Sequence, residues 1–355
     1  MKSFGILLLD YKQERHFFNE MAQKGIQHSF EIYMFSPTDI NPLTEEVHGL
    51  KYDESSCQWV EDVYPIPSFI YDRCFYQNRS HFKTNYPIIN WLKNKKEITF
   101  LGYGLPNKWH LYEVFSNHKI LSPYIPETIK ATSAKSIIDY ALTKKRILCK
   151  PESGSQGRGI FALIEGNGTL SLRLPKEDKV IEKHFTKLAE CEKWLEHVLS
   201  LSSYLMQPFL SLSDKEQHPF DIRVFIQKNK EGTWEERGRA VRRGSKDNIL
   251  SNLHRGGKVG SYSSWLRSMP QRKRSFINTE IDLLIKQATT CLDEHFSPLF
   301  EIGLDIGMAK DYSIWLLDTN SKPGRQIILQ NKKRINDDLF EAPFHYCNYL
   351  STVQQ

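Results

Sequence analysis

Asp305 lies in one apolar run, Leu299 to Gly307, and Asp318 with Asn320 lies at the end of the next, Ser313 to Thr319, so three oxygen-bearing side chains stand on neighbouring runs. Asp318 and Asn320 are two apart, so on a strand they share one face. Hard oxygen ligands converging in this way suit Mg²⁺, which keeps several waters and completes its octahedron with substrate phosphates. Taken alone, an Asp-x-Asn turn capping a hairpin is the plainer reading. Arg223 belongs to a second run in which Phe220, Ile222, Val224 and Ile226 alternate with Asp221, Arg223 and Phe225. The period of two predicts a strand with Arg223 projecting towards a cleft. An always-charged planar donor there suits the charge that spreads over a γ-phosphate during transfer. The alternative is a salt bridge to Asp221 or to a neighbouring strand.

The third feature is Cys149-Lys150-Pro151-Glu152-Ser153-Gly154-Ser155-Gln156-Gly157-Arg158-Gly159-Ile160. Apolar, β-rich runs, Arg146 to Lys150 and Ile160 to Ile164, flank it on both sides. A Walker loop or a Rossmann turn would open a helix instead. Glycines let backbone N–H groups turn towards a ligand, so the hairpin suits a flap over polyphosphate, with the Lys150 ammonium as a point charge beside it. On this stretch alone, a mobile surface hairpin is the favoured reading.

Composition bounds the alternatives. With 355 residues, 40% hydrophobic and 25% charged, the chain is long enough for two or three structural units and has the make-up of a globular protein. The formal charge of +6 suits the handling of anions without demanding nucleic acid. A nucleic-acid module resting on Arg237 to Lys258 ranks low, because Glu235, Glu236 and Asp247 interleave with the bases. The six cysteines form no Cys-x-x-Cys pair, the twelve histidines show no zinc spacing, and no Gly-x-Ser-x-Gly elbow is present. The apolar run from Phe4 to Leu9 is too brief for a signal peptide, and nothing approaches transmembrane length, which implies a cytoplasmic site of synthesis.

The elements that must position these residues read as follows. A strand to Leu9, a helix over Glu14 to Lys24 and a strand over His28 to Phe35 make a βαβ-like opening. Residues 1–105 are predicted to form an α/β domain, with a strand at Ser68 to Arg73, a helix over Ser80 to Asn94 and a strand at Ile98 to Leu101. Residues 106–355 form the second unit, with a lid over about 135–208 and a central sheet over about 209–355. The apolar stripe Ile277, Ile281, Leu284, Ile285, Ala288 and Leu292 predicts a core-facing helix over Ser275 to His295. A last helix is expected within Asp337 to Leu350.

Lys150 with its hairpin, Phe220 to Arg223, Asn252 to Gly257, Gly303 to Gly307 and Leu317 to Gly324 occur in the order expected of the ATP-grasp superfamily. More closely, the chain resembles the YheC/YheD-type ATP-grasp proteins known as endospore coat-associated proteins. The resemblance implies an α/β (α+β) ATP-grasp fold with an N-terminal pre-ATP-grasp domain, binding ATP and Mg²⁺. It puts Asp305, Asp318 and Asn320 in the metal positions and makes Arg223 the catalytic cation. It makes Lys108, Lys150, Ser155, Gln156, Gly157, Gly159, Gln207, Pro208, Phe209, Leu210, Arg223, Asn252 and Arg255 the nucleotide-contacting set, with Met206 to Leu210 edging the adenine. Asp318 stands where many members carry Glu.

The implied activity is Mg-ATP-dependent joining of a carboxylate to an amine through an acyl phosphate. The alternatives are a nucleotide-binding spore-coat or assembly protein with little turnover, and phosphotransfer to a hydroxyl. Spore coat proteins are the implied partners, with no membrane association and spore-coat association added to the cytoplasm as a location. Specificity is expected around Tyr71, Asp72 and Arg73 and near Arg255.

Overall fold

The structure is a computed structural model that describes residues 1–353 except 77, 155–156, 177–178, 247, 250, 252–256, 326–327 and 329–336. Its first sheet grows from the expected βαβ opening. Strand β1 (Lys2–Leu7) leads through helix α1 (Arg15–Gln27) to β2 (Phe30–Phe35), and the two strands pair in parallel. A hairpin, β3 (Glu46–Asp53) and β4 (Gln58–Pro65), extends one side, and β5 (Phe69–Asp72), helix α2 (Arg79–Lys93) and β6 (Thr99–Phe100) complete the other. The order is β4-β3-β2-β1-β5-β6. Helix α2 begins where the Asn78 side chain accepts the His81 backbone N–H at 2.9 Å, satisfying one of the donors a helix start leaves open.

Helix α3 (Lys108–Asn117) opens on a second cap of the same kind, Asn107 accepting from the His110 N–H at 2.9 Å. It is followed by β7 (Ile129–Lys130), α4 (Ala134–Lys144), β8 (Arg146–Pro151), β9 (Phe161–Gly166), β10 (Thr169–Lys176), β11 (Lys179–Phe185), α5 (Leu188–Leu201) and β12 (Tyr204–Pro208). These strands make a second sheet in the order β11-β10-β9-β8-β12-β7. Helices α4 and α5 share its core through Ile137, Ala141, Cys191 and Leu195. The glycine-rich segment joins β8 to β9, as the flanking runs predict.

The third sheet is antiparallel. It consists of β13 (Phe220–Lys228), β14 (Trp234–Arg243), β15 (Lys258–Ser261), then helices α6 (Tyr262–Ser268) and α7 (Gln271–His295), and finally β16 (Glu301–Met308) and β17 (Ile314–Asn320), in the order β15-β14-β13-β16-β17. The alternation along β13 separates two cores. Phe220, Ile222, Val224 and Ile226 pack under α7 with Ile277, Ile281, Leu284, Ala288 and Leu292. Phe225 enters the other core with Phe4, Phe30 and Tyr71 of the first unit. The closing helix α8 (Asp338–Val353) belongs to that core too, through Phe340, Phe344 and Tyr346.

A buried charge network joins the first sheet's side of the molecule to β16. The Arg73 guanidinium lies 2.5 Å from Glu301 and 2.8 Å from Glu14, and Arg325 lies 2.7 Å from Glu14 and 3.2 Å from Glu301. Both arginines are fully buried. Burial alone would raise the Glu14 carboxyl, but Arg325 and Arg73 hold it down at about 2. A carboxylate depressed in this way adds stability that is complete above its unfolded value near 4.5 and disappears as the pH falls towards 2. The shift corresponds to roughly 3 kcal/mol. Replacing Glu14 with Gln is therefore expected to lower the urea midpoint at pH 7 and to flatten its decline between pH 4.5 and 2. Equal acid sensitivity in both proteins would contradict this.

Candidate functional site

Between the second and third sheets, and reaching the first unit, lies a cavity of about 870 Å³. The bulge between Asp305 and Ile306 sets its floor: Asp305 pairs with Asp318, whereas Ile306 pairs with Leu316. Two carboxylates thus face each other across neighbouring strands, and like charges so placed are destabilising unless cations intervene. The surrounding elements supply them. From β13, Arg223 brings its Nε within 2.5 Å of Asp305. From β14, Arg242 lies 2.9 Å from the same oxygen of Asp305 and 2.6 Å from Asp221. From the first turn of α3, the Lys108 ammonium donates to Asp318. Gly303 makes the Arg223 position available, because a Cβ there would stand 2.8 Å from the guanidinium and 2.8 Å from the Pro323 ring.

Burial raises the Asp305 carboxyl; Arg223 and Arg242 act against it, while Asp221 and Asp318 add to it. Burial would raise Asp318 as well, but Lys108 and Lys150 pull it below the ordinary range. Lys150, on β8, reaches the Leu317 carbonyl at 3.4 Å. Burial and then Lys108 push its ammonium down to about 8, against the pull of Asp318. The facing carboxylates, with Asn320 two residues beyond on the same strand, make an all-oxygen donor set of the kind a hard dication takes. In chemical type, the residues present fit Mg²⁺.

The cavity gathers most of the expected set: Lys108, Lys150, Gly157, Gln207, Pro208, Phe209, Leu210, Arg223, Asp305, Asp318 and Asn320 all line it. Gly159 does not line it but shapes the hairpin's backbone. Its φ of 75° is left-handed, its carbonyl accepts the Tyr204 hydroxyl at 3.0 Å, and a Cβ would meet Pro151 at 2.8 Å. The expected contacts Ser155, Gln156, Asn252 and Arg255 lie outside the described residues. Along β12, Gln207 turns its amide onto the Thr128 hydroxyl at 2.7 Å. The Phe209 N–H is held by the Arg146 carbonyl at 3.0 Å. The Arg146 guanidinium lies over the Phe209 ring, 4.6 Å from its centre. The hairpin is tied to α3, since Lys108 N–H donates to the Glu152 carbonyl at 3.1 Å and the Asn107 amide to its carboxylate at 2.8 Å.

Tyr71, Asp72 and Arg73 do not line the cavity but lie buried at the boundary of the first unit, where Arg73 is drawn inward by Glu14 and Glu301 and Asp72 by Lys322 at 2.5 Å. The first unit reaches the cavity instead through Asp10, Gln13, Glu14, Phe75, Tyr76 and His81. Arg242 and Arg243 separate: Arg242 is buried against Asp221 and Asp305, whereas Arg243 is half-buried and pairs with Asp214 and Glu216. The sequence held a signal for this, because Val241 in the core puts Arg242 on the face of Arg223.

Removing one partner of a buried pair leaves the other charge uncompensated. Arg242→Met is expected to cost about 3–5 kcal/mol in urea unfolding, and Arg243→Met at most about 1 kcal/mol. Similar costs for the two would contradict the division.

The family model described as YheC/D like ATP-grasp matches residues 97–350. The chain is 37% identical to the endospore coat-associated protein YheC of Bacillus subtilis (strain 168) over 356 aligned residues, covering 100% of this chain and 97% of that one. It is 24% identical to the endospore coat-associated protein YheD of the same organism, covering 96% of this chain and 75% of that one. Among solved structures, D-cycloserine synthetase DcsG matches with a TM-score of 0.54 at 8% identity, over 99% of this chain and 100% of that one. A RiPP-associated ATP-grasp ligase of Chryseobacterium gregarium, in complex with ADP and a leader and core peptide, matches with a TM-score of 0.52 at 11% identity, over 99% and 97%. With three sheets in this order and the family match spanning most of its length, the chain belongs to the YheC/D-like ATP-grasp family.

Proposed function

We propose that the chain is a Mg-ATP-dependent ligase that joins a carboxylate to an amine. The observation that carries this reading is the cluster of Arg223, Arg242, Lys108 and Lys150 around facing Asp305 and Asp318 on the floor of one large cavity. Such a cluster is an anion site backed by an all-oxygen cation site. ATP lies with its base between the two sheets, walled by Leu148, Phe209 and Leu210, and with its phosphates towards the cations. Asp305, Asp318 and Asn320 would hold Mg²⁺, which would supply positive charge beside the phosphates.

The substrate carboxylate attacks the γ-phosphorus, the bond to the β-phosphate oxygen breaks, and ADP leaves. Arg223 and Arg242 stand where charge spreads over the transferring group, and positioned cations in a buried site stabilise it without reorganising. An amine then attacks the acyl carbon, loses a proton and displaces phosphate. No enzyme nucleophile is needed, and the six free cysteines, five of them buried, take no part.

The likeness to endospore coat-associated proteins supports a role in the spore, with coat proteins as partners and an address in the cytoplasm or at the coat. No helix among the described residues is long and apolar enough to cross a membrane.

Two experiments test the reading. Incubated with Mg-ATP, hydroxylamine and a small-molecule extract of the source cells, the protein is expected to release ADP and form a hydroxamate, and Asp318→Ala is expected to form neither. A stable phosphorylated product with no hydroxamate would replace ligation with kinase chemistry. Tight ATP binding without ADP release would favour a binding protein. The second follows from Lys150, whose ammonium loses its proton as the pH rises through about 8. ATP affinity is expected to fall by about tenfold or more between pH 7 and 10, the scale of one charge-assisted hydrogen bond. Lys150→Arg keeps its charge, so its affinity stays flat; parallel declines would remove Lys150 from the phosphate site.

A further inference from the structure

A second group of ligand-bearing side chains stands outside the cavity, where α1 meets α8. Among the described residues, His28, Glu341 and His345 each offer a ligand atom within 4.8 Å of the others. Glu341 and His345 are four apart on α8 and so share one helix face, and His28 caps the C-terminal end of α1. The helices pack through Phe17, Phe18, Phe340 and Phe344, and the His28 ring stacks on Phe344 at 6.2 Å and 21°. The three side chains therefore stand on a rigid helix pair.

The three ligand groups face one another. His28 Nε2 is 4.0 Å from one Glu341 oxygen, and the His28 and His345 rings meet edge to face with centroids 4.8 Å apart. Lys24 stands 3.5 Å from the other Glu341 oxygen and is itself held by Asp337 at 2.7 Å. This outer partner leaves the first oxygen turned towards the imidazoles, the arrangement by which surrounding groups orient a ligating carboxylate. All three ligands are half-buried, so an ion can enter and keep a water.

We propose that His28, Glu341 and His345 bind a divalent transition metal of the zinc class and that the bound ion staples the closing helix to the first unit. Two imidazole nitrogens and a carboxylate oxygen, with water in the fourth position, are a usual zinc set. The mixed nitrogen and oxygen donors separate this site from the all-oxygen floor of the cavity, so the two sites select different metals. Bonds of about 2.1 Å put tetrahedral ligands about 3.4 Å apart. Side-chain rotation in half-exposed groups supplies the remaining closure. The site shares no residue with the cavity, and it stands whether or not the ligase reading holds.

The test is calorimetric titration of the chelator-stripped full chain with Zn²⁺ under saturating Mg²⁺. One Zn²⁺ per chain and a raised Tm are expected, with binding weakened at least about tenfold by His28→Ala, His345→Ala and the isosteric Glu341→Gln. Asp318→Ala is expected to bind Zn²⁺ as the parent does. Circular dichroism of the three site variants separates lost ligands from lost fold. Absence of saturable uptake, uptake unchanged in folded His28→Ala and His345→Ala proteins, or uptake lost in Asp318→Ala would each overturn the site.

Discussion

Two strands bring Asp305 and Asp318 face to face, and the rest of the cleft is arranged around that repulsion. Cations converge on the pair from three other elements: Arg223 from β13, Arg242 from β14 and Lys108 from α3. Each is positioned by an ordinary feature of local structure. Strand parity aims the two arginines, and the Asn107 cap starts α3 where Lys108 reaches the floor. A glycine at 303 makes room for the Arg223 guanidinium. An acidic floor and a basic surround neutralise one another in this structure. The same groups suit a dication and a polyphosphate, which bring matching charges of opposite sign.

The floor is also fastened to the first unit. Just beyond Asn320, Lys322 donates to Asp72 at 2.5 Å and to the Cys74 carbonyl at 3.2 Å. The Pro323 carbonyl accepts from Arg73 at 3.1 Å, and Arg325 joins the Glu14 and Glu301 pairs. Glu301 lies four residues before Asp305 on the same strand. A buried network of this kind is costly to break and poorly tolerant of movement. The β16–β17 floor is thereby held to the segments after β1 and β5, from which Gln13, Glu14 and Phe75 reach the cavity.

Much of this was legible in the chain because it was local. Apolar runs on both sides of the glycines identified a hairpin rather than a helix start, and the alternation of Phe220 to Ile226 separated the two cores that β13 divides. The stripe from Ile277 to Leu292 marked the helix beneath the sheet. What escaped was non-local. Tyr71 to Arg73 have the polar strand end of a cleft-facing segment, yet partners more than two hundred residues away, Glu301 and Lys322, draw them into the interior. The strand Ile129–Lys130 is two residues long and gains its identity only from pairing with β12. Arg242 could have been distinguished from Arg243 by parity with Val241, but the bulge after Phe225 hides the hairpin register from a simple count.

On the function proposed above, the acidic floor and its cations form one site for a dication and a polyphosphate together. Calorimetric titration with a non-hydrolysable ATP analogue, with and without Mg²⁺, tests it most directly. One site per chain is expected, with an affinity much higher in the presence of Mg²⁺. Without the metal, the phosphates meet facing carboxylates that lack a dication. Equal affinity with and without Mg²⁺, or no binding in either condition, would contradict it.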